Sequence, residues 1–199
     1  MALDPASNAI RSCFVPFMLL GRYDRALDFI RSDAGSAWAA NATRLVYQRM
    51  GLRTEAREEL ARSGPQPAKR LTSCLDGASP AVQGEISDQE LKEALAHQDP
   101  ERLYFDASDL AYCGYPGPSL RLLDEAIRRN YCAYPAIDTD PTFASISNRP
   151  EFAQIREAAR ACRKRFEEHV EVSGQASSGI GAELRGTIGT RGVTSARVP

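Results

Sequence analysis

The stretch from Asp99 to Tyr131, DPERLYFDASDLAYCGYPGPSLRLLDEAIRRNY, spells out one complete pair of antiparallel helices. Asp99 is placed to cap the orphan amides of a helix whose first position is Pro100, where a missing N–H costs nothing and the fixed φ suits the helix. Leu103, Ala107, Leu110 and Ala111 then recur at helical spacing, until Gly114-Tyr115-Pro116-Gly117-Pro118 ends the run by supplying positive φ and removing donors. Leu120, Leu123, Ala126 and Ile127 mark a second amphipathic helix, which so short a connection folds back beside the first. The unit is an αα-hairpin.

Such a hairpin cannot bury its apolar faces alone, so copies of it are expected elsewhere in the chain. The ladder Leu110, Gly114, Ser119 and Leu123 has two counterparts at the same spacing: Phe17, Gly21, Ala26 and Ile30, then Tyr47, Gly51, Ala56 and Leu60. In this alternation of small and large positions the chain resembles the tetratricopeptide repeat family, with LLGRYDRALDFI and QRMGLRTEAREEL similar to the turn and second helix of that repeat. Tyr23 stands where the repeat has an aromatic beyond its glycine. The pattern departs from the family in three ways. The glycines are not separated by whole multiples of about 34 residues, Arg44 replaces a small residue, and Pro16 lies inside a first helix. From Asp99 to Val170, and above all in NYCAYPAIDTDPTFASISNRPEFAQIREAARACRKRFEEH, the chain also resembles the carboxy-terminal end of tetratricopeptide regions in bacterial multidomain regulatory proteins carrying kinase or transcription-regulator domains.

The resemblance implies that the first helix of each pair lines a concave groove holding a peptide or partner helix. Carried onto these hairpins, the groove-facing residues are Asn8, Arg11 and Val15, then Trp38, Asn41 and Leu45, then Glu101, Tyr104, Ser108 and Tyr112. The competing reading is that Trp38, Tyr104 and Tyr112 fill the hairpin interfaces, and that Glu101 only complements its helix macrodipole. The carboxylate clamp of part of the family is not expected, because Val15, Ala42 and Phe105 stand where it needs polar groups.

Around the central hairpin, Asp4-Pro5 and Ser7 offer start signals for a helix to about Leu20, Tyr23 to Arg31 returns, and Ser36 opens a second pair that ends at Gly64-Pro65-Gln66-Pro67. The expected repeats are thus 7–33, 36–63 and 99–131. Residues 68–98 carry irregular helices, one of them begun by a Ser87/Glu90 capping box. Asp140-Pro141 starts a short turn ending near Ile146. A final helix over 150–170 puts Phe152, Ile155, Ala159, Cys162, Phe166 and Val170 on one stripe and is expected to cap the open end of the stack. Residues 1–171 form the helical domain. In 172–199 aromatics vanish and Gly, Ser, Thr and Ala dominate, a composition expected to stay disordered.

The net charge of −1 gives no electrostatic reason for a nucleic acid or anionic membrane as partner, and a helical-repeat RNA binder ranks below a protein binder on that ground. No apolar run approaches the roughly 20 residues of a membrane span, and no signal peptide is read at the start. Five cysteines, at 13, 74, 113, 132 and 162, lack C-x-x-C spacing. Cys113 and Cys132, at opposite ends of the hairpin, are not expected to pair. The five read as small buried thiols of a reducing, cytoplasmic compartment. His97 and His169 sit near helix ends with no ligand at a metal-site spacing. No G-x-S-x-G, H-E-x-x-H or Walker pattern is present, and Gly179-Ile180-Gly181 lacks the strand and helix of a dinucleotide loop. Arg160, Arg163, Lys164 and Arg165 are interleaved with Glu157, Glu167 and Glu168 at pairing distance, as on a solvated helix face. The expectation is therefore an all-α array of antiparallel helix pairs, a tetratricopeptide-like α-solenoid with a C-terminal capping helix. It would be a protein-interaction scaffold without catalysis, cofactor or metal, or else a regulatory spacer in a larger signalling protein.

Overall fold

The computed structural model describes residues 13–64 and 69–186, with side chains described as far as 170. Among the described residues the chain is helical and contains no strand. In order the helices are α1 (Phe14–Leu19), α2 (Tyr23–Arg31), α3 (Ala37–Arg49), α4 (Arg53–Arg62), α5 (Lys69–Leu75), α6 (Pro80–Gln83), α7 (Asp88–Leu95), α8 (Pro100–Tyr112), α9 (Pro116–Arg128), α10 (Ala136–Thr139), a 3₁₀ turn over Pro141–Phe143, and α11 (Pro150–Gly186). The chain divides into one compact unit through Cys162 and a second from Arg163 onward.

In the first unit α1 packs on α2, α3 on α4, and α8 on α9. The three pairs turn by one device. At Gly21, Gly51 and Gly114 the backbone takes φ of 69°, 76° and 81°. Each glycine N–H then donates to the carbonyl three residues back, at Met18, Gln48 and Ala111. The following N–H donates to the carbonyl five back, at Phe17, Tyr47 and Leu110. This doubly bonded cap satisfies the last carbonyls of the first helix and points the chain back along it, which requires a residue that tolerates the left-handed region. The small members of the ladder, Ala26, Ala56 and Ser119, are wholly buried. Ser119 Oγ donates to Ala107 O of the facing helix at 2.8 Å, so the partners approach closely there. Enlarging one of these positions, as in Ala56→Leu, forces a methylene-filled side chain into a closed crossing and should cost about 1–3 kcal/mol in urea unfolding; a stability within experimental error of the parent would mean the crossing is open.

Caps fix the other starts. Asp99 accepts from Glu101 N at 2.9 Å, and Ser36 from Ala39 N at 3.0 Å. Ser87 and Glu90 form the full capping box, with Glu90 Oε2 accepting from Ser87 N at 2.8 Å. The Ser87 backbone N–H, then its hydroxyl, then Arg70 hold the Glu90 carboxyl down to about 2. A depressed carboxyl stabilises the fold fully above its unfolded value and loses that contribution as pH falls toward 2. Half of the Glu90 side chain is exposed, so water holds the effect to below about 1 kcal/mol. Stability should therefore dip slightly between pH 4.5 and 2 in the parent, and Glu90→Ala should flatten that part of the pH profile.

The core comprises three clusters. Phe14, Met18, Ala26, Ile30, Ala42 and Val46 join the first pair to α3. Ala56, Leu60, Leu71, Cys74 and Leu75 join α4 to α5. Leu103, Tyr104, Leu122, Leu123, Ile137, Phe143, Ile146, Phe152 and Ile155 join α8 and α9 to the 137–146 segment and the start of α11.

Three expectations change. Cys74 and Cys113 form a disulfide, as do Cys132 and Cys162, so four of the five cysteines are not small thiols. Cys113 and Cys132 are not bonded to each other, but α5 and α11 bring each of them a partner that lies far along the chain. The last helix also does not stop at 170: backbone helix continues to Gly186 through part of the stretch expected to be disordered, while 187–199 lie outside the described residues. Within it Phe152, Ile155, Ala159 and Cys162 are buried as the stripe predicts, but Phe166 and Val170, in the second unit, are 58 % and 51 % exposed. That second unit carries its own i,i+4 pairs, Arg163–Glu167 at 2.6 Å and Lys164–Glu168 at 3.8 Å.

Candidate functional site

The face on which α3 and α8 meet is where a groove was expected, and the residues there are polar but closed off. Arg44, Gln48 and Arg49 of α3 are all buried. A guanidinium cannot be neutralised in a protein, so each buried arginine needs a carboxylate. Arg44 Nη1 donates to Asp109 Oδ1 of α8 at 2.8 Å and to Gln48 Oε1 at 2.6 Å, while its Nε donates to Asn41 Oδ1. Arg49 donates to Asp140 Oδ2 through Nε at 3.1 Å and Nη2 at 2.7 Å, and to Leu45 O through Nη1. Both side chains of that pair are 1 % exposed.

Asp140 is the hub. Its Oδ2 also accepts from the Tyr104 hydroxyl at 3.0 Å, and its Oδ1 accepts from Thr142 N at 3.0 Å and Thr142 Oγ1 at 2.6 Å. Five donors thus converge on one carboxylate and occupy both of its oxygens. Burial opposes the Arg49 charge, but Asp140 and the hydroxyl of Tyr104 overcome this and hold the guanidinium above its ordinary range. Burial first, then the Asp140 charge, pushes the Tyr104 hydroxyl well above the usual phenol range. The network is built to stay as it is.

The site residues expected from the sequence therefore separate. Asn8 and Arg11 lie outside the described residues. Leu45, Tyr104 and Ser108 are brought together, but around Asp140 and out of reach of a partner: Tyr104 and Ser108 are wholly buried and Leu45 is 4 % exposed. The physical reason is that the 137–146 segment lies across α3 and α8, with Phe143 edge-on to Tyr104 at 5.4 Å between ring centroids and Ser145 Oγ donating to Ala111 O at 2.7 Å. Val15 is buried as well. Trp38 is half-buried, edge-on to Phe14. Tyr112 is half-buried under the Arg53 guanidinium, at 5.7 Å. Glu101 accepts from the Tyr131 hydroxyl at 3.4 Å, and burial followed by the nearby Asp99 charge raises its carboxyl. Asn41 is exposed. None of these four bonds to Asp140 among the described residues; Asn41 joins Arg44 instead, which pairs with Asp109.

Arg49 and Asp109 are not among the residues expected from the sequence, and Asp140 is expected there only to start a short turn. The signal for them lay in α3, where Arg44 stands at a small-residue position and Gln48 follows at i+4: polar side chains on an inward face imply buried acids on whatever packs there.

Open space lies beside these helices. A cleft of about 230 Å³ is lined by Leu20, Tyr23, Arg49, Ala136 and Asp140. A second, of about 370 Å³, lies among α2, α3 and α4, with Arg31, Ser36, Thr43, Tyr47 and Arg62 in its lining. A third, of about 210 Å³, lies among α5, α7, α8 and α9. Among the described residues no group of three or more His, Cys, Asp or Glu side chains stands where it could hold a metal ion. No described helix is long and apolar enough to cross a membrane. No family model, no curated protein and no solved structure matches the chain.

Proposed function

We propose that the chain is a non-catalytic helical-repeat scaffold of the tetratricopeptide type that holds a polypeptide partner. The observation that carries this reading is the repetition of one hairpin, turned by the same glycine cap at 21, 51 and 114, in a body whose second and third pairs are tied by Arg44–Asp109 and by the meeting of Arg49 and Tyr104 on Asp140. A frame locked in that way presents its clefts at little ordering cost to itself, which is the physical requirement for holding a short peptide. The binding surface in this reading is the clefts among α2, α3 and α4 and among α5, α7, α8 and α9, with the half-buried Trp38 and Tyr112, not the Asp140 face and the cleft beside it. Probing an array of random peptides with the folded chain tests it: a subset of peptides should be retained saturably, and an array with no binder above background would remove the scaffold reading.

A second reading has its own support. The chain covers its own inner face with the 137–146 segment, as a spacer or regulatory segment of a larger bacterial signalling protein would if its contacts were internal. In that case an antibody to this chain should detect an endogenous polypeptide clearly longer than 199 residues. The two disulfides support action in an oxidising compartment, against the cytoplasmic placement expected from the cysteine count.

A further inference from the structure

The cleft among α5, α7, α8 and α9 differs from the other two in its lining. Leu71, Ile86, Leu91, Leu110 and Leu122 make it mainly apolar, and Asp106 and Asp109, one turn apart on the same face of α8, add two carboxylates. Arg70 also lines it, but is matched there by Glu90 at 3.0 Å. The excess charge of the lining is therefore negative. Neither aspartate is fully committed. Arg44 engages Oδ1 of Asp109, whose Oδ2 takes no hydrogen bond among the described residues. Among the described residues Asp106 accepts from Arg102 Nε alone, on both oxygens at 3.1 Å, and this i,i+4 partner is 59 % exposed to water, which keeps the pair weak.

Size narrows the occupant. At about 210 Å³ the space falls below the roughly 300–1,000 Å³ of pockets that enclose a whole small-molecule ligand, and it suits one or two side chains. Its walls are also fixed, because Cys113 lines it and is bonded to Cys74 on α5, the helix that supplies Arg70 and Leu71. An apolar, preformed hole beside two carboxylates complements an aliphatic group with a cation next to it.

We propose that this cleft receives an aliphatic side chain of a partner polypeptide whose neighbouring residue is a lysine or arginine that reaches Asp106 and Asp109. The assignment rests on the scaffold reading and gives it a site and a sequence preference. Burial raises the Asp106 carboxyl, Arg102 opposes this and the neighbouring Asp109 charge adds to it, the balance being upward.

Titration of the ¹⁵N-labelled chain with Gly/Ser dodecapeptides carrying a central Leu-Lys, Leu-Glu or Ala-Lys tests this. The Leu-Lys peptide should shift the amides of Leu91, Ala94 and Leu110 saturably, and the other two should bind about tenfold more weakly, a difference of about 1.4 kcal/mol. Asp106→Asn, at a partly exposed position, and Ala94→Trp, which fills the hole, should each weaken Leu-Lys binding by a similar factor while the remaining spectrum is kept. Equal binding of the Leu-Glu peptide, shifts confined to other helices, or Leu-Lys binding unchanged in Ala94→Trp would overturn the assignment. Binders from the random array that ignore the cleft would remove the site and leave the scaffold; no binder at all would remove both.

Discussion

Asp140→Ala is expected to cost about 3–5 kcal/mol of folding free energy, because it strands a buried guanidinium with no counter-charge. Arg49 is 1 % exposed and places two of its donors on that carboxylate, and the Tyr104 hydroxyl and both Thr142 donors lose their acceptor in the same step. Urea unfolding followed by circular dichroism would register this as a drop in midpoint of about 2 M, given slopes of about 1–3 kcal/mol/M for domains of this kind. The double variant Arg49→Met with Asp140→Asn should lose much less than the sum of the single changes, since removing both charges removes the stranded one and Asn still offers an acceptor to Tyr104. Additive losses would mean that the pair is not energetically coupled and that burial here is incidental.

The disulfides carry the second large effect. A cross-link across 39 residues, as between Cys74 and Cys113, removes chain entropy from the unfolded state worth about 4 kcal/mol in the loop-closure relation. Measured removals in small domains scatter around about 2–5 kcal/mol. The Cys74→Ser/Cys113→Ser variant should therefore unfold at markedly lower urea, and so should Cys132→Ser/Cys162→Ser, whose ends are 30 residues apart. Adding reductant to the parent should reproduce both losses together and have little effect on the corresponding quadruple variant. Mass spectrometry of a non-reduced digest should recover the Cys74–Cys113 and Cys132–Cys162 peptides; alkylation of all five cysteines in the native, air-oxidised chain would refute the pairing.

Local signals were legible where a single residue has only one good use. Gly21, Gly51 and Gly114 announced the hairpin turns because few other residues accept φ near 75° at a helix end, and the Ser87/Glu90 box announced α7 because its two bonds close within four residues. The small-then-large ladder was legible for the same reason: Ala26, Ala56 and Ser119 sit where two helices touch, which limits side-chain volume whatever the partner sequence. Long-range chemistry was not legible. Arg49 and Asp140 are separated by 91 residues, and nothing near either says that the other will meet it. Asp140 looked like the cap of a short turn, and it is one, through Thr142, but the other oxygen of the same carboxylate does the larger task. The cysteine pairing was hidden likewise. Spacing excluded Cys113 with Cys132, but could not show which helices would deliver Cys74 and Cys162. Three of the residues expected in a groove are covered for a related reason: the sequence placed Leu45, Tyr104 and Ser108 on the inward faces of their helices, and the segment that then fills that space begins only after Tyr131.

The bond from Arg49 to Asp140 has a further consequence for how the chain can be cut or lengthened. Open helical arrays are modular, because each unit leans only on its neighbours and end units can be removed one at a time. Here a residue near one quarter of the length is fastened to one past two thirds, so the second hairpin and, through Tyr104, the last share a common keystone. A fragment ending at residue 130 would keep three hairpins and still leave Tyr104 and Arg49 bare, so melting should be all-or-none through Cys162, and grafting in an extra hairpin should be tolerated at neither side of α8.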